Sequence, residues 1–275
     1  MIIRNIISIL IIGLIYSCSS TRTISEENNL SIESIYTASY SVSRDGELAR
    51  KTALKERPDK KMVYDDKGGL IEYVKYEVDG TIYKTIKNLL NKNGDLIKRE
   101  VFDNHYNIKY YILTEFDNND SVQFYRTYSA SDDLTDVQEN QYDSMGNIVL
   151  ILRTDITSKS IFKTTHKYNS KNQLINRTTY NSDGMVQDSR TFIYDDKGNE
   201  IESVLTRPSG DYTKFVSKYD KYNNLITQYW FDDKGTQEHL TSFSYIYDKK
   251  GNWISRKRYS GGKLGYIWER QIEYN

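Results

Sequence analysis

The stretch Tyr194-Asp195-Asp196-Lys197-Gly198-Asn199-Glu200-Ile201 holds in eight residues the pattern that decides the fold. An aromatic residue ends an extended run, a carboxylate opens a turn, and a glycine three residues later takes the backbone through positive φ. Apolar character returns directly afterwards. Asp in this position accepts backbone N–H groups through its side chain, and glycine tolerates the left-handed conformation a tight reversal needs. The stretch therefore reads as a hairpin between two strands.

The same pattern recurs with aromatic positions at Tyr64, Tyr142, Tyr168, Tyr194, Tyr219 and Tyr247, and in weaker form at Leu90 and Phe116. The spacing is 26 residues except for 25 before Tyr219 and 28 before Tyr247, and the sequence reaches Tyr274-Asn275 in phase with a further unit. The residue after the aromatic is always Asp or Asn, and the fourth position is Gly68, Gly94, Asp120, Gly146, Asn172, Gly198, Asn223 or Gly251. An apolar pair follows, as in Leu70-Ile71, Leu174-Ile175 and Trp253-Ile254. A second aromatic column at Tyr76, Phe102, Tyr128, Tyr180, Phe231 and Tyr259 precedes a second turn at Gly80, Gly184, Gly210 or Gly235. Each unit is then strand, turn, strand, turn, and breaks every dozen residues leave no room for a helix of ordinary length. The two prolines, Pro58 and Pro208, lie outside the strands so assigned. The expected fold is all-β: an elongated, twisted antiparallel β-meander of tandem hairpins, about 26 residues per two-strand unit and roughly 18 strands in all. Such a sheet must twist, coil or close on itself.

Four segments follow. Residues 1–17 read as a signal peptide, with Arg4 ahead of an apolar run from Ile6 to Ile15 that is too short to span a bilayer. Residues 18–34 form a polar tether, and residues 35–63 a degenerate first hairpin turning at Arg44-Asp45-Gly46-Glu47 and capping the first edge. Residues 64–275 are the repeat array.

Two resemblances add to this reading. Ile15-Tyr16-Ser17-Cys18 resembles the lipobox of bacterial lipoproteins, with Tyr16 where a small or branched residue is usual. The resemblance implies acylation at Cys18, and Ser19 in place of Asp favours the outer membrane over inner-membrane retention. Cys18 is the only cysteine, so internal disulfides are excluded. The motifs YDDKGGLI from Tyr64, YDSMGNIV from Tyr142, YDDKGNEI from Tyr194 and YDKKGNWI from Tyr247 resemble the YD-repeat, or RHS-repeat, family over about three quarters of the chain. Large members of that family build hollow β shells around a toxin fragment, and small members are lipoproteins. The long repeat number and separate effector region of toxin delivery are not seen here, so the resemblance implies the fold more than a toxin role.

Lys plus Arg and Asp plus Glu both total 38, which removes the net field that nucleic-acid binders rely on. Nucleic acid is therefore not an expected partner, and strand alternation divides Arg256, Lys257 and Arg258 between two faces. His105, His166 and His239 fall at different repeat phases, and the pairs Asp65-Asp66, Asp195-Asp196 and Asp232-Asp233 are explained as turn formers. No catalytic residue, metal site or cofactor is expected. Binding is assigned instead to the aromatic residues of the last units, Tyr229, Trp230, Trp253, Tyr266 and Trp268, whose rings can stack on sugars or partner side chains. The expected function is a non-catalytic cell-envelope lipoprotein, anchored to the membrane by its N-terminal lipid and presenting a β surface to a glycan or protein. An accessory or immunity-like component of an RHS toxin or secretion system is the alternative, and a carbohydrate-active enzyme the third. Oligomeric state is not legible.

Overall fold

Asp195 shows how each reversal is built. Its backbone N–H donates to the Asn199 carbonyl at 3.0 Å and its carbonyl accepts from Gly198 at 3.0 Å. Its Oδ1 accepts the N–H groups of Lys197 and Asn199 at 2.9 and 2.8 Å, while Asn199 Nδ2 donates to Oδ2 at 2.9 Å. Gly198 sits at φ +83°, and the same column takes positive φ at Gly68, Gly94, Gly146, Asn172, Asn223 and Gly251. The second turns do so at Gly80, Gly184, Gly210 and Gly235, as expected, and also at Tyr106, Asp132 and Lys159. At those three, no glycine marked the turn in the sequence.

The computed structural model describes residues 32–41, 58–117 and 122–274. Its strands are β1 (Ile32–Ser41), β2 (Lys60–Tyr64), β3 (Leu70–Tyr76), β4 (Ile82–Leu90), β5 (Leu96–Phe102), β6 (Ile108–Phe116), β7 (Val122–Ser129), β8 (Leu134–Tyr142) and β9 (Ile148–Asp155). The remainder are β10 (Ser160–Tyr168), β11 (Leu174–Tyr180), β12 (Val186–Tyr194), β13 (Glu200–Thr206), β14 (Tyr212–Tyr219), β15 (Leu225–Phe231), β16 (Gln237–Tyr247), β17 (Trp253–Ser260) and β18 (Lys263–Tyr274). From β2 to β18 each strand pairs antiparallel with the next, so the meander of hairpins is present as read. It is not an open, elongated sheet. β1 pairs with β2 on one side, Tyr36 opposite Lys61, and with β18 on the other, Tyr36 opposite Gln271. The sheet is a closed 18-stranded barrel, which leaves no edge strand for other chains to pair with. β1 is therefore the seam of the ring. The Arg44–Glu47 turn, Cys18 and the tether up to residue 31 lie outside the described residues, whereas Ile32, Glu33 and Ser34, assigned to the tether in the sequence, belong to β1, whose ladder holds them.

Each strand comes within 8 Å, Cα to Cα, of its two ladder neighbours and of no other described strand. Eighteen strands at ~4.8 Å spacing and ~40° tilt give a circular-equivalent radius of roughly 18 Å, too wide for opposing side chains to fill. Among the described residues, buried apolar side chains are accordingly few: Ile35, Ala38, Tyr40, Val74, Val101 and Phe102. β1 is shielded on both faces, with Thr37 at 2% and Ala38 at 0% exposure.

The pairing register carries one row of side chains around the whole ring. On β10 the row holds Thr164 and His166, half-buried, while Ile161, Lys163 and Lys167 on the other row are exposed. On β12 it holds Arg190 and Phe192 against exposed Thr191 and Ile193, and on β16 Thr241, Phe243 and Tyr245 against exposed Glu238, Ser244 and Ile246. Side chains converge on the concave side of a closed sheet and splay on the convex side, so the shielded row is the inner one. Outside β1, the outer row's buried positions are Val74, Thr85 and Phe102, on three neighbouring strands. At the aromatic-Asp turns other than Phe116-Asp117 two residues of the outgoing strand oppose one, as where Tyr194 pairs with Glu200 and Ile193 with Glu202. This bulge brings both members of the apolar pair toward the inner row.

Candidate functional site

The aromatic candidates divide between the two faces. Trp230, Tyr266 and Trp268 stand on the inner row, and Trp253 joins them through the bulge beside Tyr247. Tyr229 does not: as the neighbour of Trp230 on β15 it points outward, beside Phe231 and beneath Lys218. Alternation along the strand forbids adjacent residues from sharing a face, so Tyr229 leaves the candidate set.

The remaining four form two groups. Trp230 lies edge-on to Phe215 and His239, with ring centroids at 5.2 and 5.4 Å, and its Nε1 donates to Gln228 at 2.9 Å. Its exposure of 39% keeps it open to solvent. Tyr266 and Trp268 stack at 5.5 Å, and Tyr266 is 37% exposed. Trp253 meets Tyr245 edge-on at 6.5 Å.

Arginines interleave with these rings, which the sequence reading missed. The Arg256 guanidinium lies 4.1 Å from the Trp268 centroid and 5.2 Å from that of Trp253. Arg270 lies 3.4 Å over Trp253, and Arg258 4.7 Å over Tyr266. Cation–π contacts of this kind contribute roughly 0.5–2 kcal/mol each, more where water is excluded. Lys60 of β2 completes the group, in the same row as Thr37 and Arg270.

Burial disfavours charge here. It lowers the Lys60 ammonium below the usual lysine range, with Arg270 and Arg256 adding repulsion and Asp59 opposing it. Burial also lowers Arg256, with Tyr245 opposing and Arg258 adding to the shift. Among the inner-row and bulge positions of β17, β18, β1 and β2, the one carboxylate is Glu33, at the rim. The outer row of the same strands is balanced: Glu269 accepts from Tyr40 at 3.0 Å and Glu273 from Ser34 at 2.7 Å, near Lys61 and Lys257.

A catalytic arrangement is not what these contacts form. His239 Nε2 lies 3.3 Å from Ser260 Oγ, but the ring's other described neighbour is Trp230 and not a carboxylate that would orient it. His166 is half-buried beside Tyr168, and burial lowers its pKa. His105 lies in a turn, its N–H bonded to Asp103. Among the described residues no three His, Cys, Asp or Glu side chains are placed to hold a metal ion.

Fold and site together define a closed antiparallel β-barrel of tandem hairpins with an arginine–aromatic patch on its inner row. No family model matches the chain, and no curated protein matches it. Among solved structures it is similar to a porin-like protein from Bacteroides uniformis, at 11% identity over 88% of this chain and 98% of that one, with a TM-score of 0.48. A porin-like protein from Bacteroides vulgatus is similar at 10% identity over 90% and 99% of the two chains, with a TM-score of 0.29. Neither likeness is strong enough to carry a functional argument.

Proposed function

We propose that the protein is a non-catalytic, lipid-tethered component of the bacterial cell envelope that binds a glycan or protein partner through the aromatic residues of its last strands. The observation that supports this most is the gathering of Trp230, Trp253, Tyr266 and Trp268 on one row of the wall, with Trp230 and Tyr266 open to solvent. Aromatic rings at a wet surface give stacking area at small entropic cost, which suits sugar rings and partner side chains alike.

Tethering through Cys18, rather than insertion of the barrel, fits the wall's chemistry. A membrane-spanning barrel turns an apolar belt about 25 Å tall to lipid. Here both rows carry charge at mid-strand, with Glu72, Lys98 and Glu100 on the outer row and Arg99 and Arg177 on the inner. The repeat motif's resemblance to small YD-repeat lipoproteins points the same way.

The test is binding of the mature protein to a glycan array and to envelope extracts, with Trp230→Ala and Trp268→Ala as variants and circular dichroism as the folding control. Removing a ring that contributes to the contact is expected to weaken binding about tenfold. Wild-type protein that captures nothing, or folded variants that bind as wild type does, would refute the proposal. The anchor is checked separately by mass spectrometry of membrane fractions, where Cys18→Ala is expected to release the protein to the soluble fraction.

A further inference from the structure

The closed meander sorts its turns into two rims. The aromatic-Asp turns and their Asn equivalents all lie at one end of the barrel and the second turns at the other, because consecutive strands run antiparallel. β1 enters the ring at the first of these ends: Ile32 stands opposite Tyr274, and Ser34 opposite Val63, the neighbour of Tyr64. The two rims differ in charge although the chain as a whole is neutral. The second and third positions after the aromatic are the exposed tips of the first rim. Among the described residues these tips hold seven lysines, including Lys171, Lys197, Lys249 and Lys250, against the carboxylates of Asp66 and Asp196. The carboxylates that open the turns are drawn back onto N–H groups of their own turns, as at Asp143, Asp195 and Asp248. At the corresponding tips of the other rim stand Asp79, Asp183 and Asp233 against one lysine, Lys234.

Resting on the lipid anchor proposed above, we infer that the barrel stands on an anionic membrane surface by its aromatic-Asp rim, with the lysine tips against the lipid headgroups and the opposite rim turned away. Ile32 follows Cys18 by 14 residues, a reach of at most roughly 50 Å. That reach delivers the first rim to the bilayer, but it would also let the barrel lie on its side or turn over, so charge must decide the orientation. Strands of about nine residues tilted ~40° make the wall roughly 20–25 Å tall, which is about two Debye lengths at ~0.1 M salt. A charged surface therefore meets each rim separately, and the neutrality of the whole chain does not cancel the difference. Lysine tips close to an anionic leaflet are attracted within that distance, and the aspartate tips of the other rim are repelled. The outer row, which mixes Glu72 and Glu100 with Lys98, offers no comparable run of cations for a side-on contact. The acyl chain already holds the protein at the surface, so the rim has only to bias its orientation. Trp230, beside the turn of residues 232–235 at the far rim, is then presented away from the membrane, where a partner can reach it.

The experiment places the acylated protein, purified from membranes, in vesicles of phosphatidylethanolamine with phosphatidylglycerol. A fluorophore is attached at Ser170→Cys on the first rim or at Ser182→Cys on the second; Cys18, the one native cysteine, carries the lipid, so each label has a single site. Nitroxide-bearing headgroups, a short-range quencher, are expected to quench the label at position 170 several-fold more than the label at position 182. The ratio is expected to fall toward one at high salt, in vesicles of phosphatidylcholine alone, and in Lys171→Glu/Lys197→Glu/Lys249→Glu. Lys234→Glu, at the far rim, is expected to keep the difference. The substituted lysines are exposed at turn tips, circular dichroism checks that the variants fold, and the salt and lipid series reads the same dependence without them. Equal quenching of the two labels, stronger quenching at position 182, or a difference that persists unchanged at high salt and in the charge-reversed variant would overturn the inference. Acylated protein that sits on the vesicles without preference removes this inference alone, whereas protein that carries no acyl group and stays in solution removes the lipid anchor as well.

Discussion

At the residue scale, the turn column shows what glycine is for. Gly146 stands at φ +80° with no atom within 4 Å of the position a Cβ would take, so the demand there is conformational and not steric. Asn172 and Asn223 occupy the equivalent positions at φ +59° and +61°. Gly146→Asn is therefore expected to unfold at nearly the wild-type urea midpoint, while Gly146→Val, whose branched side chain resists positive φ, is expected to lose ~1–3 kcal/mol. The turn aspartates add a pH dependence. The backbone N–H and side chain of Asn147 hold Asp143 below the usual carboxylate range, and the side chain of Asn199, followed by its N–H, does the same for Asp195. A carboxylate with a depressed pKa stabilises the folded state fully above its unfolded value near ~3.9 and loses that contribution as pH falls through the folded value. Thermal midpoints are expected to stay level from neutrality down to about pH 5 and to drop on further acidification. Asp143→Asn/Asp195→Asn should reduce that drop, because asparagine makes the same turn at Asn91 and Asn169 without titrating.

At the element scale, the aromatic column that announces each turn also ties neighbouring strands together. Tyr168, Tyr194 and Tyr219 donate their hydroxyls to the carbonyls of Ile148, Leu174 and Glu200, at 2.8–2.9 Å, on the strand before. The 28-residue spacing before Tyr247 divides this role. Tyr245, 26 residues after Tyr219, donates to the Leu225 carbonyl at 2.8 Å, and Tyr247 bonds Asp220 of the preceding turn instead. Tyr274 repeats the second arrangement with Asp248, and burial together with that hydrogen bond pushes its phenol up to about 12. Tyr194→Phe and Tyr245→Phe are each expected to cost ~1 kcal/mol, since the ring remains and one hydrogen bond is lost. Denaturant titration of the two single variants and the double variant should show additive losses, because Leu174 and Leu225 lie on strands separated by three others. A cooperative excess would show that the strands between them transmit strain.

At the scale of the whole molecule, the consequential feature is the seam. Tyr36 of β1 stands opposite Gln271 of β18, although the two are separated by nearly the whole length of the repeat array. Tyr36→Cys/Gln271→Cys is expected to form an intramolecular disulfide on oxidation, visible as a mobility shift reversed by reductant. In an open meander about 80 Å long the two thiols could not meet. Absence of the crosslink in folded protein would contradict closure.

Much of this structure was legible in the chain. Local chemistry decided where the backbone reverses, since Asp, Asn and Gly act through hydrogen bonds and dihedral preferences that span five residues, and alternation between turns decided which side chains share a row. Tyr106, Asp132 and Lys159 escaped because ladder pairing on either side forces positive φ on residues that do not advertise it. Closure, by contrast, belongs to tertiary structure. Whether eighteen strands coil openly or meet depends on twist and bulge summed around the ring, and no short segment carries that sum. With closure comes an inside and an outside, and only then do Arg256, Arg270 and Lys60, scattered along the chain, become one cationic patch among tryptophans. Amino-acid order set the hairpins. The meeting of β1 with β18 made the surface.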